Sequence, residues 1–156
     1  PTALMGIAQD IVESMAPGVL YVIGSGTTTR PIVELLGLTK TLLGVDLVRD
    51  KELVARDVNE QQLLAAVSSY PTKIIVTPIG GQGFIFGRGN QQISHRVLRH
   101  VKREDILVVA TREKLASLEG RPLLVDTGNR DMDRTLAGFQ RILTGYRQEV
   151  VYKVGL

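Results

Sequence analysis

Five runs constrain this 156-residue chain most: "VLYVI" at 19–23, "TLLGVDLV" at 41–48, "KIIVT" at 73–77, "DILVVA" at 105–110 and "PLLVD" at 122–126. Each is strand-sized and apolar almost throughout rather than alternating, so each strand is buried on both sides and the sheet they form must be covered on both faces. The segments between them supply the covers. Residues 3–15 place Leu4, Ile7, Ala8, Ile11, Val12 and Met15 at helical spacing before Pro17-Gly18 stops the pattern, and Asn59 can cap a helix carrying Leu63, Leu64 and Val67. Further helical patterns run through Ile32, Leu35 and Leu36, through Ile93, Val97, Leu98 and Val101, through Leu115 and Leu118, and through Met132, Leu136 and Phe139. A brief "ELVA" pairs beside the second strand, and the tail, "RILTG" and "VVYKV", reads as one or two edge strands. The expected architecture is one three-layer α/β domain spanning 1–156, with a mostly parallel sheet and helices on both faces.

Composition narrows the function. There is no cysteine, which excludes disulfides, thiolate metal sites and thiol redox chemistry and makes a cytoplasmic location the expectation. No apolar run reaches membrane-span length, so no membrane partner is expected. The net charge of +3 is modest, and the basic run "HRVLRHVKRE" at 95–104 reads as a solvated helix face. With three Phe, four Tyr and no Trp there is little for base stacking, so small anionic ligands fit better than nucleic acid.

Two glycine loops fall where the apolar runs end, which in an open α/β sheet is where ligands bind. At 24–29, Gly24 and Gly26 permit a tight turn, and Ser25, Thr27, Thr28 and Thr29 supply hydroxyls beside the backbone N–H groups of a helix start, a set that suits a phosphate or carboxylate. The same residues also suit a plain strand-to-helix turn with a threonine N-cap. The segment is not a P-loop, because the spacing and the lysine are missing, and Thr29 stands where a dinucleotide fingerprint needs its third glycine. The second loop, Gly80-Gly81-Gln82-Gly83 through Gly87-Arg88-Gly89-Asn90, holds glycine at a density costly in entropy for a mere connection, though it also reads as a bend that packs Phe84 and Phe86 into the core. It suggests a close backbone approach to ligand or a mobile loop, with Arg88 as an anion contact and Gln82 and Asn90 as amide hydrogen-bonders. Asp46 and Asp126 end strands, where a carboxylate can meet Mg²⁺, a hydroxyl or a ribose; Asp126 equally suits a cap for the turn that follows. His95 and His100 lack metal-ligand spacing and read as surface residues.

Three stretches in order, "DVNE" at 57–60, "IIVTPIGGQGFIFGRGNQQI" at 74–93 and "LEGRPLLVD" at 118–126, resemble the C-terminal half of ATP-NAD kinase-like proteins. The likeness is closest to the branch associated with acetoin catabolism, its X type, and extends from Gly18 to the tail. It implies a dinucleotide site touching Asn59, Glu60, Thr77, Pro78, Gly80 and Gly81, with ATP, NAD and Mg²⁺ as the chemistry. The family's Gly-Gly-Asp-Gly phosphate motif, carried by an N-terminal domain, is absent, and "GGQG" has Gln82 where the acid would stand. The chain is therefore expected to be a C-terminal fragment that needs its N-terminal domain to phosphorylate anything, and a homo-oligomer is possible. "GSGTTT" and "ILVVATREKLASLEGRPLLVD" are also similar to the phosphosugar isomerase and sugar-sensor fold, the architecture expected here; a β-rich NAD kinase C-terminal domain is the alternative. The functional expectation is a nucleotide- or phosphate-binding domain, with Asp46 as candidate for metal or hydroxyl contact. The competing reading is a non-catalytic domain that senses a phosphosugar-like metabolite.

Overall fold

The computed structural model describes residues 2–156. In chain order these form α1 (Thr2–Ser14), β1 (Leu20–Ile23), α2 (Arg30–Leu35), β2 (Asp46–Arg49), β3 (Glu52–Ala55), α3 (Glu60–Ser69), β4 (Thr72–Val76), β5 (Phe84–Phe86), α4 (His95–Leu98), β6 (Ile106–Val109), α5 (Arg112–Ala116), β7 (Leu123–Val125), α6 (Arg130–Leu136), β8 (Gly138–Gly145) and β9 (Gln148–Gly155). The strands make one nine-stranded sheet in the order β3-β2-β1-β4-β6-β8-β9-β7-β5. Pairing is parallel from β1 through β4 and β6 to β8, and again from β9 through β7 to β5. It is antiparallel at β1 with β2, β2 with β3 and β8 with β9.

The apolar strands are buried on both sides because successive residues face opposite ways. Tyr21, Ile23, Val48, Ile75 and Val109 pack beneath Ile7, Ala8 and Ile11 of α1 and Ile32 and Val33 of α2. Their neighbours Leu20, Val22, Leu47, Ile74, Val76 and Val108 face the other way, into a cluster with Leu63 and Val67 of α3 and Val97 and Leu98 of α4. The α/β class, the mostly parallel sheet and the helices on both faces are thus present.

The strand content exceeds the expectation. The tail forms no edge: β8 and β9 are eight residues each and lie inside the sheet, where their hairpin joins β6 to β7. Part of the second glycine loop is itself a strand, since Ile79 and Phe84 exchange backbone hydrogen bonds at 2.7 and 3.2 Å and β5 then pairs with β7. The second strand begins only at Asp46, because residues 41–45 form a loop. Phe139 belongs to β8 rather than a helix and is 70% exposed, and Leu35, placed on the buried face of α2 by spacing, is turned outward while Val33 takes its place. Short helices explain both errors: six or seven residues make too few turns for a periodic reading to fix the face.

Candidate functional site

A cavity of about 620 Å³ opens at the carboxyl ends of the parallel strands. Gly26, Thr27 and Thr28 reach it after β1, Thr77 to Gly80 after β4, Thr111 to Lys114 after β6, and Thr144 from the end of β8. This is where an open parallel sheet collects its loops, and it brings the two glycine-bearing segments together. A second cavity, of about 600 Å³, lies at the opposite edge, among Lys73, Arg103, Glu104 and Glu149, and none of the residues anticipated from sequence lines it.

The first loop divides its labour. Ser25 is buried, its N–H and hydroxyl donating to Asn90 Oδ1 at 3.0 and 3.2 Å, with the hydroxyl also donating to the Gly89 carbonyl at 2.8 Å. Asn90 Nδ2 donates to the Ile85 carbonyl at 3.3 Å, so this fully buried amide staples the loops to each other and does not line the cavity. Thr29 is equally buried and does not cap α2: its hydroxyl donates back to the carbonyls of Gly24 at 2.7 Å and Gly26 at 3.1 Å, folding the turn on itself. That leaves Gly26, Thr27 and Thr28 facing the cavity. Gly26 has φ +117°, and a Cβ there would sit 2.8 Å from Thr77 Cγ2, so only glycine lets the two walls close up.

On the second segment Thr77, Pro78 and Gly80 line the cavity. Thr77 is 2% exposed, and its hydroxyl is the one buried hydroxyl among the described residues with no hydrogen-bond partner. An orphaned buried hydroxyl costs about 1–3 kcal/mol, a cost that a bound ligand or an ordered water would relieve. The Gly80 carbonyl accepts from Lys114 Nζ at 2.9 Å. Gly81 and Gln82 are exposed at the tip, whereas Gly83 is buried against Leu118. Arg88 does not reach toward an anion: its guanidinium stacks on the Phe84 ring, 4.8 Å from the centroid.

The remaining anticipated residues lie away from the cavity. Asn59 caps α3 by accepting from Gln62 N–H at 2.9 Å, and Glu60 pairs with Arg96 at 3.4 Å. Asp46 starts β2 rather than ending a strand, although the antiparallel run of β2 puts it at the same edge of the sheet as the cavity. It is fully buried and accepts from Thr41 N–H at 2.8 Å, Thr41 Oγ1 at 2.6 Å and Asp57 N–H at 2.8 Å, with Lys40 Nζ 3.5 Å away. Burial alone would raise its pKa; the hydrogen bonds from Thr41 and Asp57 and the Lys40 charge prevail and hold it below the usual carboxylate value. Lys40 is pushed down by burial, with the Asp46 charge opposing that push, and it donates to the carbonyls of Thr41 at 2.9 Å and Gly44 at 2.7 Å. Asp126 is exposed, and the turn after it is tied by Asp133, which accepts from Thr127 N–H and Oγ1, while Asn129 caps α6. His100 is exposed and His95 half-buried, neither on the cavity.

No group of three or more His, Asp or Glu side chains among the described residues is arranged to hold a metal ion, and the Asp46 oxygens are already engaged. No all-protein carboxylate cage is therefore preformed among the described residues; Mg²⁺ bound with nucleotide phosphates needs only one or two carboxylates. Thr111, Arg112, Lys114, Thr144 and Gln148, which complete the wall, escaped the sequence reading. A signal existed: "DILVVA" ends directly in "TREK", the same passage from apolar strand to polar loop that drew notice at the other two strands.

A family model described as the ATP-NAD kinase C-terminal domain matches residues 17–154. No curated protein and no solved structure matches the chain, so the likeness to the phosphosugar isomerase fold gains no support.

Proposed function

The chain belongs to the ATP-NAD kinase C-terminal domain family, and we propose that its cavity at the strand ends is where this domain holds a nucleotide. It is the C-terminal domain of an ATP-NAD kinase-like protein. In the intact protein the reaction is phosphoryl transfer from ATP to NAD, which depends on positioning and on charge neutralisation more than on covalent chemistry by the protein. This domain contributes the positioning: threonine hydroxyls from three loops, backbone at Gly26 and Gly80, and the cationic side chains of Arg112 and Lys114. Magnesium would arrive with the nucleotide phosphates, and no step is assigned to Asp46. The N-terminal domain of the family supplies the remaining phosphate contacts. A cytoplasmic setting and the acetoin-associated branch complete the reading; no described helix is long and apolar enough to cross a membrane.

The observation that carries the proposal is the orphaned Thr77 hydroxyl on the wall where both glycine segments meet. A thermal-shift titration with NAD, with ATP and Mg²⁺, and with ribose 5-phosphate tests it. At a hundredfold excess over Kd a ligand adds about 2.7 kcal/mol, a rise of roughly 5–10 °C for a chain of this size. A shift with NAD or ATP is expected. A shift with the sugar phosphate alone would transfer the cavity to metabolite sensing, and none with any of the three would remove the proposal.

A further inference from the structure

We infer that Lys114 is the residue by which the cavity selects a phosphate-bearing ligand, and that in the ligand-free protein its ammonium is parked on the Gly80 carbonyl. The inference rests on the nucleotide reading of this cavity and says which group of the nucleotide the cavity takes.

Lys114 projects from α5 onto the cavity wall and donates to Gly80 O at 2.9 Å, bridging α5 and the loop that follows β4. That carbonyl is its single side-chain partner, and Gly80 is exposed, so water can replace the contact at little cost. The five salt bridges of the described residues include neither Lys114 nor Arg112, and Glu113, the carboxylate on this wall, pairs with neither. Lys40 shows the contrast: buried, it faces a carboxylate and two carbonyls and is fully matched. The cavity thus holds two cations uncommitted to any anion of the described residues.

The Thr77 hydroxyl, 2% exposed and unpartnered, belongs to a residue of the same wall and is a further donor, and Thr27 and Thr28 line the same cavity. Unmatched ammonium and guanidinium groups beside free hydroxyls suit the oxygens of a phosphate, which accept several hydrogen bonds at once. The other contacts of the tip are long, Gly83 N–H to Gly80 O at 3.4 Å and Arg121 Nη2 to Gly81 O at 3.5 Å, so releasing Lys114 breaks no short bond but its own. Nothing lies within 4 Å of where a Cβ on Gly81 would stand, and its φ is not in the left-handed region, so neither packing nor backbone conformation within the chain requires glycine there.

The test is calorimetric titration of inorganic pyrophosphate and of ATP into the protein and its Lys114→Met, Lys114→Arg and Thr77→Val variants, at low and moderate salt. Lys114→Met keeps most of the side-chain stem and removes the charge. It should weaken both ligands about ten- to hundredfold and flatten the salt dependence of binding, while Lys114→Arg retains most of the affinity. Amide exchange at residues 80–83 should quicken in unliganded Lys114→Met. Unchanged affinity in Lys114→Met, or a loss in Lys114→Arg as deep as in Lys114→Met, overturns the inference while leaving nucleotide binding in place. Failure of the unaltered protein to bind either pyrophosphate or ATP overturns it, and the reading it rests on falls too if NAD gives no binding in the same titration. Unchanged exchange at 80–83 overturns the parked contact alone.

Discussion

Replacing Asp46 by Asn separates a structural from a catalytic role at the carboxylate that sequence put forward as the catalytic candidate. The substitution keeps shape and volume but turns one of the two oxygens into an NH₂ that faces a donor. Oδ1 receives Thr41 Oγ1 and Asp57 N–H, and Oδ2 receives Thr41 N–H and faces Lys40 Nζ, so whichever way the amide turns it opposes at least one donor. Lys40, with a side chain 1% exposed, is then a buried cation without its counter-charge. Removing one partner of a buried pair costs about 3–5 kcal/mol. For a chain of this length that lowers Tm by roughly 6–20 °C, and with a urea m-value of about 2 kcal/mol/M the midpoint falls by about 1.5–2.5 M. Urea denaturation of Asp46→Asn, Lys40→Met and the double variant gives both the cost and the coupling, and the double variant should cost less than the two single costs combined. Where Asp46→Asn still folds, its affinity for ATP or NAD should match the unaltered protein. A cost below about 1 kcal/mol combined with lost ligand binding would refute the structural account and return Asp46 to the site.

Thr77→Val should leave stability unchanged or raise it by up to about 1 kcal/mol, since it removes an unpaired buried hydroxyl, yet weaken the nucleotide; denaturation and titration on the same preparation would show the two moving oppositely. Gly26→Ala must place a Cβ 2.8 Å from Thr77 Cγ2 at φ +117°, and should lose about 1–3 kcal/mol in a melt together with ligand affinity. Asn90→Ala cuts the staple between the loops, and a stability loss of about 1–3 kcal/mol with faster amide exchange at Ser25 is expected. Acid titration carries a signature of its own: because Asp46 is held below its ordinary value, the stability it supplies is present above about pH 4 and drains as pH falls through the folded-state value, so Asp46→Asn should flatten the acid limb of the stability curve. At the alkaline end Lys40, depressed by burial, makes the unfolded chain the better proton binder between its lowered folded-state value and about pH 10.4; Lys40→Met should remove the rise of stability with pH in that window.

The core was legible because it obeys a local rule. Val22, Ile74 and Val108 belong to unbroken apolar runs, and any sheet that buries them needs two covering layers. Sheet order was not legible, since the pairing of β9 with β7 is a non-local match that no window of sequence contains. The same division runs through the site. The glycines marked where two loops turn, but which hydroxyl faces ligand and which faces backbone depends on partners far along the chain, as Asn90 is for Ser25. Thr27, Thr28 and Thr29 are equivalent as letters; burial alone makes Thr29 a turn residue and leaves the other two on the cavity. Asp46 was singled out for its strand, and the atoms that engage it, from Thr41 and Asp57, lie in flanking loops whose geometry the apolar pattern does not report.

The place of the β8–β9 hairpin in the sheet sets the timing of folding during synthesis. Strands β1 to β4 and β6 can assemble as they leave the ribosome, each finding a neighbour already made. The β5 and β7 pair cannot join them, because its route into the sheet runs through β9, among the last residues of the described chain. Until then the edge of β7 at Leu123 and Leu124 waits without its β9 neighbour, and an unpaired apolar edge is where the nascent chain is most exposed to aggregation just before residues 148–155 emerge. A chain stopped before Gly138 would hold two partial sheets rather than one shortened protein, and a holding chaperone should engage it far more strongly than the chain that continues through β9.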